Sequence, residues 1–135
     1  EITALVRAHR LDIDYAADCG LKAVIVEHCI NPYVNESGYG LDGETLVERC
    51  AEAVNYAREK GIKPIFMGWD MTRIEDMDYL QAFYTSLAAK CAPDAIVLVD
   101  TFGVALPRAA GFLVQKVKKS PPCWKCWQAR RLELT

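Results

Sequence analysis

The chain has 135 residues, of which 52% are hydrophobic and 25% charged, and its formal net charge is −2. Such a composition is typical of a globular domain, and the absence of a basic stripe argues against nucleic acid or an anionic membrane as a partner. Its apolar stretches are strand-sized, far shorter than the roughly 20 residues of a membrane span. Because no leader pattern is visible either, we expect a cytoplasmic location.

Strand-like and helix-like segments alternate along the sequence. Short apolar runs predict strands at residues 2–6, 23–27, 62–68 and 95–100. After each strand comes a stretch with helical spacing of apolar residues, at 11–19, 41–60, 77–91 and 107–119. Gly20 and Gly61 stand where helices end, and Pro107 suits the first turn of the last helix. The sequence therefore predicts four consecutive βα units.

Repeated βα units imply a parallel sheet, either doubly wound or part of a barrel. A dinucleotide-binding sheet would place a glycine-rich turn after its first strand, where this chain has Arg7-Ala8-His9-Arg10. Polar groups at the ends of several strands favour the barrel, and a full barrel needs about 250 residues. We therefore predict an α/β fold that is a partial TIM (β/α)8 barrel, with its helices on one side of the sheet.

Polar side chains follow all four predicted strands. In chain order they are Arg7, Glu27, Asp70 with Arg73, and Asp100 with Thr101. Because parallel strands present their carboxyl ends at one rim, we expect these groups to converge there. Structural roles are the alternative: a hydroxyl that caps a helix, an aspartate that forms a turn, or a solvated arginine.

Several of these segments resemble the 2-isopropylmalate synthases. They are residues 4–8 with 12–14, the helix at 52–57, the strand end at 70–73, and residues 99–104 with Pro107. More broadly they are similar to the DRE-TIM metallolyase superfamily, which includes homocitrate synthase and hydroxymethylglutaryl-CoA lyase. The resemblance spans about residues 2–119 in the same order and corresponds to strands three to six of that family's barrel.

The resemblance implies carbon–carbon bond formation between an acyl-CoA and a 2-oxo acid, in amino-acid biosynthesis. A divalent metal (Mg, Mn or Zn) would act as Lewis acid in the complete family domain. The family's metal ligands, an Asp-Arg-Glu motif and a His-x-His pair, are absent from this sequence. We therefore predict no metal for this chain alone and expect it to be an inactive central fragment. The alternatives are a related lyase, or a non-catalytic half barrel that closes as a homodimer.

The resemblance also suggests roles for the residues at the strand ends. It implies catalytic roles for Asp70 and Asp100, and substrate-binding roles for Arg7, Glu27, Arg73 and Thr101. The threonine that matches Thr101 binds the carboxylate of the oxo acid in the synthases.

The sequence departs from the family pattern at two strand ends. Trp69 replaces a glutamate that contributes to the family's active site, which puts synthase-type condensation in doubt. Glu27 and His28 replace small Thr and Ser residues. They shape a different substrate pocket, or they pair with each other in the loop.

The pattern breaks after the last predicted helix. We assign residues 1–119 to the partial barrel and residues 120–135 to an atypical tail, which a shifted reading frame or disorder would explain. The tail contains one C-x-x-C, Cys123 to Cys126. Because a structural zinc site needs four ligands, this pair alone does not predict one.

Overall fold

The computed structural model describes residues 2–118. Its strands are β1 (Thr3–Arg7), β2 (Ala23–Cys29), β3 (Lys63–Trp69) and β4 (Ala95–Leu98). Its helices are α1 (Arg10–Asp18), α2 (Pro32–Val34), α3 (Gly43–Glu59), α4 (Met77–Cys91) and α5 (Pro107–Lys118). A π-helical turn at Asn35–Tyr39 continues α2, and a 3-10 turn at Met71–Arg73 follows β3. Within residues 2–118, no helix has both the length and the hydropathy needed to cross a membrane.

The four strands form one parallel sheet in the order β1-β2-β3-β4. The register runs straight across it, with Leu5 opposite Ile25, Ile25 opposite Ile65, and Ile65 opposite Ala95. Each strand is followed by at least one helix before the next strand begins. The predicted succession of parallel βα units is therefore confirmed.

The two faces of the sheet differ in burial. One face carries the strand residues that join the hydrophobic core: Val6, Val24, Val26, Phe66 and Ile96. Helices α1, α3, α4 and α5 contribute to the same core through Ile13, Leu46, Leu80 and Leu113. The residues between them in sequence, among them Leu5, Ile25, Ile65, Met67 and Val97, are exposed or half-buried. We call this second side the open face; the helices cover only the first side, as predicted for a barrel segment.

Element boundaries differ from the sequence prediction by one or two residues in several places, and two of these differences bear on the site or have a clear local cause. The helix predicted from residue 41 begins at Gly43, because the side chain of Asp42 accepts a hydrogen bond from the Thr45 amide at 2.8 Å. The last strand ends at Leu98 rather than near residue 100, so that Asp100 and Thr101 lie in the following loop. The prediction for residues 120–135 lies outside the described residues.

Gly68 makes room for tight packing on the helix side of β3. A Cβ atom there would lie 2.7 Å from Ile30 Cδ1 and 2.9 Å from the Tyr84 hydroxyl oxygen, and both of these residues are fully buried. We expect Gly68→Ala to lower the free energy of unfolding in urea by about 1–3 kcal/mol. The control is Gly111→Ala in α5, where nothing lies within 4 Å, and it should raise that free energy by up to about 1 kcal/mol. An unchanged value for Gly68→Ala would contradict this packing.

Candidate active site at the carboxyl ends of the strands

Asp70 is the centre of a polar network at the carboxyl end of β3. Its side chain is fully buried, and its φ of 63° lies in the left-handed region, which is uncommon for a residue with a side chain. Its carboxylate accepts hydrogen bonds from Arg73 at 2.5 and 2.7 Å and from Asn31 Nδ2 at 3.1 Å. Both carboxylate oxygens have donors, so the buried charge is compensated.

The Thr101 hydroxyl is held by the backbone of Asp70. The Asp70 N–H donates to Thr101 Oγ1 at 2.9 Å. The hydroxyl oxygen therefore acts as an acceptor, and its own proton is directed elsewhere. Among residues 2–118 no acceptor takes that proton, and the Thr101 side chain is exposed. A ligand oxygen at this rim can accept it.

Asp100 organises the loop after β4. Its carboxylate accepts hydrogen bonds from Thr72 Oγ1 at 2.7 Å, from the Ala105 amide at 2.8 Å and from the Val104 amide at 3.2 Å. The bond from Thr72, supported by these amides, lowers the pKa of Asp100. These amide bonds show the turn-forming role that the sequence analysis gave as the structural alternative for Asp100. A catalytic role for this carboxylate stays a prediction.

Arg7 and Glu27 lie opposite each other on β1 and β2, at the same edge of the sheet. The Arg7 guanidinium is bound to the Asp12 carboxylate through Nε at 2.8 Å and Nη2 at 2.7 Å. Glu27 is half-buried, and burial raises its pKa. Neither residue hydrogen-bonds to the Asp70 network. The predicted site residues thus share one edge but form two groups, Arg7 with Glu27, and Asp70 with Arg73, Asp100 and Thr101.

A cavity of about 330 Å³ opens beside the first of these groups. Its lining consists of Arg7, Ala8, His9, Glu27, His28, Cys29, Tyr39, Arg49 and Trp69. Trp69 directly precedes Asp70 in the chain, but Asp70, Arg73, Asp100 and Thr101 do not line the cavity. Of the two groups of predicted residues, the first lines this cavity and the second does not.

His28 does not pair with Glu27. Its Nδ1 lies 2.9 Å from the Cys29 carbonyl oxygen, and its ring packs against Tyr39 at 5.4 Å between centroids. Because a carbonyl oxygen only accepts, Nδ1 carries the proton in this contact. Burial lowers the pKa of His28. The ring is thus held as part of the cavity wall.

Two buried asparagines complete the network, and the sequence analysis missed both. Asn31 begins α2 by accepting from the Tyr33 amide at 3.1 Å, while its Nδ2 reaches Asp70. Asn35 donates to the carbonyl oxygens of Cys29 and Asn31, both at 2.9 Å. The Asn31-Pro32 pair, two residues after the end of β2, is a helix-start signal that would have identified the first of them.

The described residues do not fit a metal site. Among residues 2–118, no three His, Cys, Asp or Glu side chains come together to hold a cation. The carboxylates of Asp70 and Asp100 are already engaged by protein donors. Both therefore act as hydrogen-bond acceptors within the protein.

A family model described as HMGL-like matches residues 1–128. The chain belongs to the HMGL-like family. This confirms the family that the sequence resembles. The fold agrees with this family. The structure of a hydroxymethylglutaryl-CoA lyase from Pseudomonas aeruginosa matches with a TM-score of 0.70 and 18% sequence identity, and the match covers 89% of this chain and 41% of the lyase chain. The partial-barrel fold class is confirmed with it.

Three curated relatives of this chain are named as synthases. A 2-isopropylmalate synthase from Methanocaldococcus jannaschii is 34% identical over 88% of this chain and 23% of its own length. A putative (R)-citramalate synthase from Archaeoglobus fulgidus is 34% identical over 87% of this chain and 24% of its own. A homocitrate synthase from Methanopyrus kandleri is 31% identical over 88% of this chain and 30% of its own length. The chain thus spans between 23% and 30% of the length of these relatives.

Substitutions at Asp70 test the network directly. Asparagine at position 70 keeps the side-chain shape and tolerates a left-handed backbone. Because Asp70→Asn weakens the hydrogen bonds from Arg73, we expect it to lower the free energy of unfolding by about 1–2 kcal/mol. Asp70→Ala also strains the backbone and leaves Asn31 without its acceptor, which should cost about 1–2 kcal/mol more. Urea unfolding of both variants measures the difference. Equal stability of Asp70→Ala and the unsubstituted chain would refute the central role of this carboxylate.

Proposed function

We propose that this chain supplies part of the active site of a barrel enzyme that forms a carbon–carbon bond between an acyl-CoA and a 2-oxo acid. The observation that carries the proposal is the Thr101 hydroxyl, whose oxygen is fixed by the Asp70 N–H and whose proton is left for a ligand. The names of the related synthases support the same class of reaction.

Thr101 and Arg73 together suit the carboxylate of an oxo acid. The Arg73 guanidinium uses Nε and Nη2 on Asp70, lies 4.0 Å from the centre of the Phe102 ring, and keeps further N–H donors. Its side chain is 46% exposed, which leaves those donors accessible. A hydroxyl and a guanidinium bound to the same aspartate can each donate to a carboxylate.

The proposal assigns only substrate binding to the described residues. A divalent metal, general in this family, finds no ligand set among residues 2–118. Removal of the weakly acidic α-proton of an acyl-CoA also needs a base. We assign both requirements to parts of the complete enzyme outside residues 2–118, and the particular oxo acid and acyl-CoA belong to that complete enzyme as well.

The open face of the sheet favours a second candidate, a half barrel that self-associates without catalysis. Leu5 on this face is 58% exposed, and β1 and β4 are edge strands of the described sheet. Two copies would bury these apolar side chains and edges. A stable dimer of the 135-residue chain in sedimentation, without binding of oxo acids, would favour this candidate.

A segment exchange tests the catalytic proposal. Residues 2–118 would replace the matching segment of the M. jannaschii 2-isopropylmalate synthase, and we expect the exchange protein to release thiol from acetyl-CoA when a divalent metal and a 2-oxo acid are present. Thr101→Val keeps the shape but removes the hydroxyl, so kcat/KM should fall by about 10–100-fold, as for the loss of a hydrogen bond to a charged group.

Thr101→Ser is the matched control, because it retains the hydroxyl and should retain most of the activity. A folded exchange protein without activity would count against the proposal. Equal kcat/KM for Thr101→Val and the parent exchange protein would remove Thr101 from it.

A further inference from the structure

We propose that the 330 Å³ cavity at the carboxyl ends of β1 and β2 binds an anionic group of the phosphate class, held by Arg49 and His28 and assisted by Arg7. The inference goes beyond the proposed function, because Thr101 and Arg73 do not line this cavity. A phosphate group can come from a small phosphate ligand or from the acyl-CoA of the proposed function, and a comparison of these two sources is part of the test.

Arg49 brings a full set of hydrogen-bond donors to the cavity. It is exposed on α3, and among residues 2–118 its guanidinium forms no hydrogen bond and no ion pair. Arginine carries five N–H donors in a planar fork that matches the oxygens of a phosphate group. All five donors are therefore available to a ligand.

His28 lies within the electrostatic reach of Arg49. Burial lowers the pKa of His28, and the charge of Arg49 lowers it further. Its Nδ1 is bonded to the Cys29 carbonyl oxygen at 2.9 Å, whereas Nε2 has no hydrogen-bond partner among the described residues. Nε2 can thus donate to an anion once the ring is protonated. An anion bound beside both residues would also relieve the repulsion between their positive charges.

Arg7 lines the same cavity from the end of β1. Its guanidinium uses Nε and Nη2 on Asp12, but Nη1 has no partner within residues 2–118, and the side chain is 74% exposed. Because Arg7 and Arg49 belong to a strand and a helix, an anion that contacts both is held by two separate elements of the fold. Charge-assisted hydrogen bonds of this kind are stronger than bonds between neutral groups.

Glu27 determines where in the cavity the anion is expected. Burial raises the pKa of Glu27, and the charges that act on its carboxylate are those of Arg7 and Asp12. The charge that acts on His28 is that of Arg49. Since a carboxylate repels an anion, we expect the phosphate group at the end of the cavity formed by Arg49 and His28.

The cavity has room for more than a phosphate group. A water molecule takes up about 30 Å³ of liquid volume, so a tetrahedral oxyanion fills only part of the space. Tyr39 and Trp69 contribute aromatic surface to the wall, and Tyr39 is 51% exposed. An organic phosphate can bury its apolar part against these rings. We therefore expect an organic phosphate to bind more tightly than inorganic phosphate.

NMR titration of the isotope-labelled 135-residue chain tests the inference. When inorganic phosphate replaces chloride at constant ionic strength, the ring resonances of His28 should shift and saturate. Arg49→Gln should weaken phosphate binding by at least about tenfold, as for the loss of hydrogen bonds between charged groups. Glu27→Gln should strengthen it by about two- to threefold, because a like charge is removed.

Arg108→Gln is the charge-matched control. Arg108 is exposed on α5 and does not line the cavity, so its substitution should leave phosphate binding unchanged. A second readout uses sulfate, which keeps both of its charges while histidine titrates. Sulfate should raise the pKa of His28, because an anion favours the protonated ring, and this rise should be lost in Arg49→Gln.

Coenzyme A and pantetheine distinguish the two sources of the phosphate group. Pantetheine carries no phosphate and should leave the His28 ring unshifted. Saturation by coenzyme A at a concentration at least about tenfold lower than that of inorganic phosphate would identify the acyl-CoA as the source. A similar or higher concentration of coenzyme A would identify a small phosphate ligand instead.

Two results would overturn the inference. One is an unshifted His28 ring when phosphate replaces chloride, and the other is an equal loss of phosphate binding in Arg49→Gln and Arg108→Gln. In both cases the proposed function stands if 2-oxopentanoate still shifts the Thr101 amide resonance, since Thr101 lies outside this cavity.

Discussion

The buried charge of Asp70 is the constraint on which the rest of the site depends. A carboxylate with no solvent contact needs donors, and here they come from Arg73 in the next turn and from Asn31, which follows β2. Its left-handed backbone turns its N–H toward Thr101, beyond β4. One residue thus joins the carboxyl ends of three adjacent strands, and left-handed strain of this kind is commonly retained at functional sites.

The hydrophobic core determines which strand residues face away from the helices. Val24, Val26 and Phe66 face the helices, so the alternate residues of the same strands face away from them. This parity places Glu27 and Trp69 on the open face and directs chemistry to the carboxyl edge, where ligands meet parallel strands.

Much of the fold was predictable because it depends on local signals. Apolar runs gave the four strands, and Gly20 and Gly61 take the left-handed φ that ends their helices. The links within the site depend instead on contacts between distant residues. Asn31 and Asp70 are 39 positions apart, and Asp70 and Thr101 are 31 apart. For Arg7 the sequence analysis missed a local contact instead, because its partner Asp12 is only five residues away.

A crystal structure of the chain with bound 2-oxopentanoate tests the central claim most directly, namely that Asp70 fixes Thr101 as a donor to a ligand carboxylate. We predict a carboxylate oxygen within about 3 Å of Thr101 Oγ1, with the Asp70 N–H still bonded to that hydroxyl and its φ still left-handed. A ligand bound away from Thr101, or a Thr101 hydroxyl that donates to a protein oxygen instead, would contradict the account.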